Sequence, residues 1–362
     1  MLENATKNSP LNTGNYTSLP GAFYKIKLSR NNLTLLVLTG LLVIVFLGSF
    51  SVGRYPVRPD VVFLSIIDRM FSLDLGIPSA VSTIVFEIRF PRIIAAVLVG
   101  AALAGAGAAF QGMFKNPLVS PDILGASAGA GFGAALAINC SAGIAGIQMA
   151  AFLFGLSAVF IAYKLSRIIK CDSILILVLA GIIISTSFTA GIYLIKYVAD
   201  PYDKLPAITF WLMGSLASVT PKEVLLLAVP VLVGFFPLWL LRWRLNVLSL
   251  DEEEAQALGL NTTRIRAVVI FCATLMTAAA VGTCGMIGWV GLVIPHAARF
   301  IVGQDYRMLL PASFLLGSTY LLVVDNLARL SFSTEIPLGV ITALLGAPFL
   351  VYLLVRLRGE WI

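Results

Sequence analysis

The chain is short of charge. Of its 362 residues only 12% are Asp, Glu, Lys or Arg, about half the roughly 25% usual in a soluble domain. Histidine occurs once, at His296 in "GLVIPHAAR", where a hydrogen-bonded structural role fits better than catalysis. The four cysteines (Cys140, Cys171, Cys272 and Cys284) are scattered and form no CxxC pair, so neither a metal site nor a disulfide framework is indicated. No lysine follows a glycine, which rules out the phosphate-cradling loop G-x-x-x-x-G-K-[ST] in this sequence. No basic stripe is interleaved with aromatics, so nucleic acid is not expected as a partner. Carboxylates and histidines are missing from the centres of the apolar runs, where proton relays and ion-coupled pumps place them. No Ser/His or paired-Asp constellation lies there either. Both absences count against an ion-driven secondary transporter and against an intramembrane enzyme.

Hydrocarbon is what the sequence has in quantity: 59% of residues are hydrophobic and the mean hydropathy is +0.96. A bilayer-crossing helix needs about 20 apolar residues. Such runs fall near 33–52, 93–113, 123–141, 143–163, 174–198, 223–241, 267–286, 288–301, 308–327 and 337–355. The run at 288–301 is short and holds Pro295. Pieces near 61–67 and 207–218 are shorter still and read as interfacial. The first run is longer than a signal-peptide core and lacks a small-x-small cleavage site, so it reads as a retained helix. The expectation is an all-α membrane protein of ten transmembrane helices with both termini on one side. With the N-terminus inside, 16 of the 25 Lys and Arg fall on the cytoplasmic side, as the positive-inside rule requires; the topology is N-in, C-in. Residues 1–30, polar and rich in Asn, Ser and Thr, form a cytoplasmic tail expected to be disordered. Residues 31–362 are expected to form a single ten-helix transmembrane domain.

Small residues recur at helical spacing. Gly125, Gly129 and Gly133 make one face of the third run; Gly100, Ala104, Ala108 and Gly112 make one face of the second; Gly282, Gly285, Gly288 and Gly291 recur every third residue near the eighth. In lipid, small residues let backbones approach closely, the main packing device available there. "AAFQGMFKNPLVSPDILGASAGAGFG" (108–133) breaks two such faces with a polar, proline-containing turn, expected on the cytoplasmic side. A short inverted echo links "GMFKNPLVSP" (112–121) to "GMIGWVGLVIP" (285–295); inverted repeats are common in transporters.

Between the sixth and seventh runs, "NVLSLDEEEAQALGLNTTRIR" (246–266) is too long for a minimal link of about 2–8 residues. Asp251, Glu252, Glu253 and Glu254 place negative charge at the start of a short helix, where the macrodipole favours it. Ala255, Ala257 and Leu258 supply an apolar face, and Gly259 ends the helix. Two short helices around a glycine turn would project a docking surface into the cytoplasm.

"IRFPRIIAAVLVGAALAGAGAAFQGMFKNPLVSPDILGASAGAG" (88–131) closely resembles the signature of the permeases for vitamin B12, iron-siderophores and haem, the FecCD-type, type II ABC importers. "LDEEEAQALGL" (250–260), "GMIGWVGLVIPHAARFIVGQDYRMLLP" (285–311) and "EIPLGVITALLGAPFLVYLLVR" (335–356) are similar to the same family, in order and at its spacing. The resemblance implies a ten-helix permease that forms a homodimer with the path between two copies. It implies two cytoplasmic ATPase subunits, which would use the ATP, and an extracytoplasmic substrate-binding protein. No cofactor or metal would be bound by this chain. Arg89, Arg92 and Arg329 match the family's exposed outer-face cations that receive the binding protein. Asp251 to Ala255, with Leu258 and Gly259, match its ATPase-docking motif. Asn116 and Leu118 match cytoplasmic-gate positions, and Ser185, Thr186, Ser187, Thr189 and Thr342 match helices that line the path. At 173–175 the chain has Ser-Ile-Leu where relatives often carry small hydroxyl residues, so contacts at that second gate are expected to differ. An iron complex is the first expected cargo and cobalamin the next, with an oxyanion such as molybdate as an alternative.

Overall fold

The computed structural model describes residues 20–73, 75–169, 174–250, 252–330 and 334–357. Among them the chain is helical, with no strand. The first helix, α1, spans Pro20–Ser49, followed by α2 (Pro59–Phe71). A short α3 (Ser79–Thr83) runs through a π-helical turn, Ile84–Arg89, into α4 (Phe90–Met113). A 3-10 turn at Pro121–Leu124 leads to α5 (Ala126–Asn139). Next come α6 (Ile144–Ile168), α7 (Ile174–Val198) and α8 (Lys204–Met213). The second half holds α9 (Pro221–Leu248), α10 (Glu252–Ala257), α11 (Thr262–Cys284) and α12 (Val290–Val302). It closes with α13 (Tyr306–Leu330) and α14 (Leu338–Leu357).

Among the described residues seven helices are long and apolar enough to cross a membrane: α1, the α3–α4 unit, α6, α7, α9, α11 and α13. The remaining apolar runs of the sequence correspond to the shorter α5, α12 and α14. The two interfacial pieces are α2 and α8, at 13 and 10 residues too short to span. The first helix starts earlier than expected. Residues 20–30, read as part of the tail, are helical, with Pro20 at the first position, where its missing N–H costs nothing. Residues 1–19 lie outside the described residues.

Three helices, α4, α11 and α13, form the centre, with more than two thirds of each span buried; α1, α6, α7 and α9 form the rim, with fewer than a quarter buried. Close backbone approach, beside buried side chains such as Phe110, Met276 and Leu309, holds the centre together. A Cβ on Gly100 of α4 would lie 2.2 Å from the carbonyl oxygen of Gly317 on α13, and one on Gly107 would lie 1.9 Å from that of Gly291 on α12. The α5 glycine face packs on α6 in the same way: Cβ atoms on Gly129 and Gly133 would meet the Phe154 and Ala150 carbonyls at 2.5 and 2.4 Å. The run Gly282, Gly285, Gly288, Gly291 is not one face. Gly285 lies beyond the end of α11 with φ +75° against Trp211, whereas Gly291 receives Pro121.

Candidate translocation and docking sites

The polar turn after α4 is only partly a turn. At Met113 the helix closes in a Schellman arrangement: Asn116 N–H donates to the Gln111 carbonyl at 3.2 Å and Lys115 N–H to that of Gly112 at 3.3 Å, with Lys115 at φ +53°. The Asn116 side-chain carbonyl then accepts the Leu118 N–H at 2.9 Å, and Leu118 itself is exposed. From there the chain climbs back into the bundle. Buried Gln111 donates its amide to the Val119 carbonyl (3.2 Å) and the Leu292 carbonyl (3.3 Å), fastening this segment to α4 and α12. Pro121 packs on Gly291. A Cβ on Gly181 of α7 would meet the Ile123 carbonyl at 2.2 Å, and one on Gly125 would meet Ser185 N at 3.3 Å. His296, 8% exposed, sits beside the Pro117 carbonyl.

The third expected span, 123–141, is therefore corrected. Fourteen residues of α5 rise only about 21 Å, short of the ~30 Å hydrocarbon core. An irregular leg, residues 116–125, makes up the depth. Non-helical backbone at that depth is tolerated because it is enclosed by protein, here by α4, α7 and α12. The leg also carries Asp122, hydrogen-bonded by the Ser127 hydroxyl, into the bundle, although no apolar run holds a carboxylate at its centre. The sequence signal was present in the spacing of Pro117, Pro121 and Gly125. Gly125, at φ +85°, is the one position there where a side chain would strain the backbone.

The candidate lining residues separate. On α7, Thr186 and Ser187 are exposed and Ser185 and Thr189 half-buried. Thr186 and Ser187 donate to the carbonyls of Ile182 and Ile183 at 2.8 and 2.9 Å, so their hydroxyls need no other partner. Thr342 is fully buried within the protomer and donates to Gly339 at 3.1 Å. It belongs to the packing of α14, not to a surface between two copies. Of residues 173–175, Ser173 lies outside the described residues, as does Cys171.

The three arginines expected on the outer face are brought together, but they are not exposed. Arg89, Arg92 and Arg329 are only 4–6% exposed. Arg92, in the first turn of α4, lies 2.8 Å from Asp325 and 2.9 Å from Glu335, and its Nε donates to Asp325 at 2.8 Å. Arg329 lies one turn after Asp325 on α13, 3.1 Å from its second oxygen, and donates to the Val52 carbonyl at 3.2 Å and to Asn326. Arg89 ends the π-helical turn and donates to the carbonyls of Phe50 and Tyr55. The cluster thus joins the end of α1, the start of α4, the end of α13 and the approach to α14. Exposed, steering cations are not what this geometry provides; Arg92 and Arg329 pair with Asp325 and Glu335 while Arg89 is held by backbone carbonyls, so the cluster keeps one net positive charge.

The 246–266 element, expected on the cytoplasmic side, differs from the two separate helices expected. Its flanks are absorbed: α9 continues to Leu248 and α11 begins at Thr262, where Asn261 caps it by accepting from Arg264 N–H at 3.0 Å. Only α10 stands apart. Its end is a Schellman motif, with Leu260 N–H donating to Ala255 (3.2 Å) and Gly259 N–H to Gln256 (2.8 Å), and Gly259 at φ +77°. Two residues pin it. Ala255 is buried, and Glu252 pairs with Arg266 at 3.2 Å while accepting from Thr262 at 3.2 Å. Glu253, Glu254, Leu258 and Gly259 face outward, with Leu258 62% exposed. Asp251 lies outside the described residues. Among the described residues no cluster of His, Cys, Asp or Glu could hold a metal ion.

Residues 41–356 match the model of the FecCD transport family. The chain is 41% identical over 321 residues to the molybdate import system permease protein MolB of Haemophilus influenzae, covering 89% of this chain and 95% of that protein. It is also 41% identical over 281 residues to a Helicobacter pylori permease named for iron chelatin transport, covering 78% and 85%. A solved structure named for an inward-facing metal-chelate type ABC transporter superposes with a TM-score of 0.80 at 40% identity, covering 89% of this chain and 98% of that one. With a match of this extent, on a bundle of apolar helices built in this way, the chain is a multi-pass cell-membrane protein that belongs to the FecCD transport family.

Proposed function

We propose that the chain is the membrane permease of an ABC importer, working as a homodimer of ten-helix subunits in the N-in, C-in orientation. Two cytoplasmic ATPase subunits drive it and an extracytoplasmic binding protein delivers its cargo. The observation that carries this reading is α10. It is a short helix fixed to the bundle on one side by Ala255 and the Glu252–Arg266 pair, with Glu253, Glu254 and Leu258 presented outward on the other. An element held rigidly at its base can transmit movement of a docked subunit to α9 and α11, which it joins. The uncovered face of α7, with Thr186 and Ser187, is assigned to the second copy and the path between the two. Asn116 and Leu118, at the lowest point of the re-entrant segment, are assigned to the inner gate. The outer arginine cluster, with its residual positive charge, shapes the rim on which an acidic binding protein lands.

A metal-containing solute is the proposed cargo, with an iron chelate first. Relatives of equal identity are named for iron chelatin and for molybdate, which supports assigning selectivity chiefly to the binding protein. The test is co-expression with a candidate ABC ATPase subunit, followed by purification. Gly259→Ala places a side chain at φ +77° without a clash, since nothing lies within 4 Å, and should cost roughly 1–2 kcal/mol in local geometry. Weaker ATPase retention in this variant, restored by Gly259→Asn, supports the assignment. Full retention together with ATP-independent uptake by the chain alone would replace it with secondary transport.

A further inference from the structure

The inner end of α9 carries an assembly that the transport reading leaves unused. Trp239, Leu240, Arg242 and Trp243 on α9, with Arg307 at the start of α13, line an open pocket of about 560 Å³. The Arg242 guanidinium lies 4.4 Å from the centre of the Trp239 ring. Neither Arg242 nor Arg307 forms an ion pair with a carboxylate among the described residues. The nearby Asp305 is already engaged, accepting from the Asn246 side chain at 2.7 Å and from Arg307 N–H at 2.9 Å. Leu240 and Trp243 are 76% and 48% exposed.

Depth identifies what the pocket faces. Trp239 to Trp243 are 18 to 22 residues into α9, which begins at Pro221, or about 27–33 Å along its axis. That is the far boundary of a ~30 Å hydrocarbon core. By the N-in orientation, on which this inference rests, that boundary is the cytoplasmic one. Trp at this level anchors a helix in the interface, and basic pockets between helices on this side suit anionic headgroups. A guanidinium fork matches phosphate oxygens in two-point contact, and the exposed Leu240 and Trp243 lie where the lipid's glycerol and first methylenes would run. We propose that Arg242, Arg307, Trp239 and Trp243 form a binding site for an anionic phospholipid of the inner leaflet. Asn246, one turn beyond, also accepts from Tyr306 N–H at 2.8 Å, so the lipid would brace the α9–α13 junction from which the chain enters α10.

The full-length protein in detergent, incubated with phosphatidylglycerol or phosphatidylcholine of the same chains, tests this by native mass spectrometry. Two interfacial arginines should give about a thirty-fold preference for phosphatidylglycerol. Arg242→Gln with Arg307→Gln should abolish that preference, and Arg242→Lys with Arg307→Lys should keep part of it. If the double glutamine variant does not purify as monodisperse protein, Arg307→Gln alone, at an exposed position, should reduce the preference several-fold. Unchanged preference in the glutamine variants overturns the site. So does full displacement of the lipid by millimolar inorganic phosphate, which would mark a free-anion site. Lost ATPase co-purification with lipid preference retained would overturn it as well, by making this surface a contact for the ATPase.

Discussion

Asp325 should be the most costly single side chain to remove from the arginine cluster where α1, α4 and α13 meet. It has no exposed surface and lies 2.8 Å from Arg92 and 3.1 Å from Arg329. At an effective dielectric of about 20, each such contact is worth roughly 5–6 kcal/mol of gross attraction, most of it offset by the cost of desolvating the ions. Asp325→Ala removes the attraction and leaves the desolvation. Arg92 keeps Glu335 at 2.9 Å, whereas Arg329 retains only neutral acceptors at Val52 and Asn326. Breaking a buried pair from one side costs about 3–5 kcal/mol, and that is the expected loss. Denaturant unfolding of the detergent-solubilised protein, followed by Trp fluorescence, measures it. In a double-mutant cycle, Arg329→Met with Asp325→Leu should cost less than the sum of its single changes by about 1–3 kcal/mol. Binding-protein docking, measured in parallel, separates this role from that of free docking cations. Arg92→Gln should lower stability and docking together. An Arg92→Gln variant of unchanged stability that cannot dock, or an Asp325→Ala variant within about 0.5 kcal/mol of the parent, would refute the reasoning.

Gly291→Ala should cost more than the usual 1–3 kcal/mol of an overpacked core, because its Cβ would lie 2.4 Å from Pro121 and 2.8 Å from the Leu103 carbonyl; Gly40→Ala, with nothing within 4 Å, is the neutral comparison, and the monodisperse fraction after purification reads both. Gln111→Leu strips the amide from two buried carbonyl partners, Val119 and Leu292, and should cost about 1–3 kcal/mol. Faster cysteine labelling at an introduced Ser120→Cys would report the loosened leg, and an unchanged labelling rate would show that Gln111 does not hold it.

Much of this was legible in the residues. Hydrophobic run lengths placed the apolar helices because a bilayer imposes one length scale on every spanning segment. Glycine spacing marked the α4–α13 and α5–α6 seams because only a missing side chain permits such approach. The run 282–291 shows where that logic stops: the same spacing there holds a chain reversal and a separate helix crossing, since periodicity has meaning only while the helix continues. Outer arginines three residues apart are consistent equally with exposed docking cations and with a buried clamp. The carboxylate partners of Arg92, Asp325 and Glu335, lie more than 230 positions away, and distance along the chain carries no sign of that pairing.

The sequence by itself determined that the chain lives in a membrane, where its apolar runs lie and which family it belongs to. These follow from composition and local order, and each needs only neighbouring residues. Tertiary structure alone decided that residues 116–125 re-enter the bundle, that the arginines turn inward, that Thr342 is buried, and that Arg242 and Arg307 meet across two helices. Each of these depends on which distant backbone is close enough to satisfy a polar group, and in a molecule surrounded by lipid that supply of partners is set by packing.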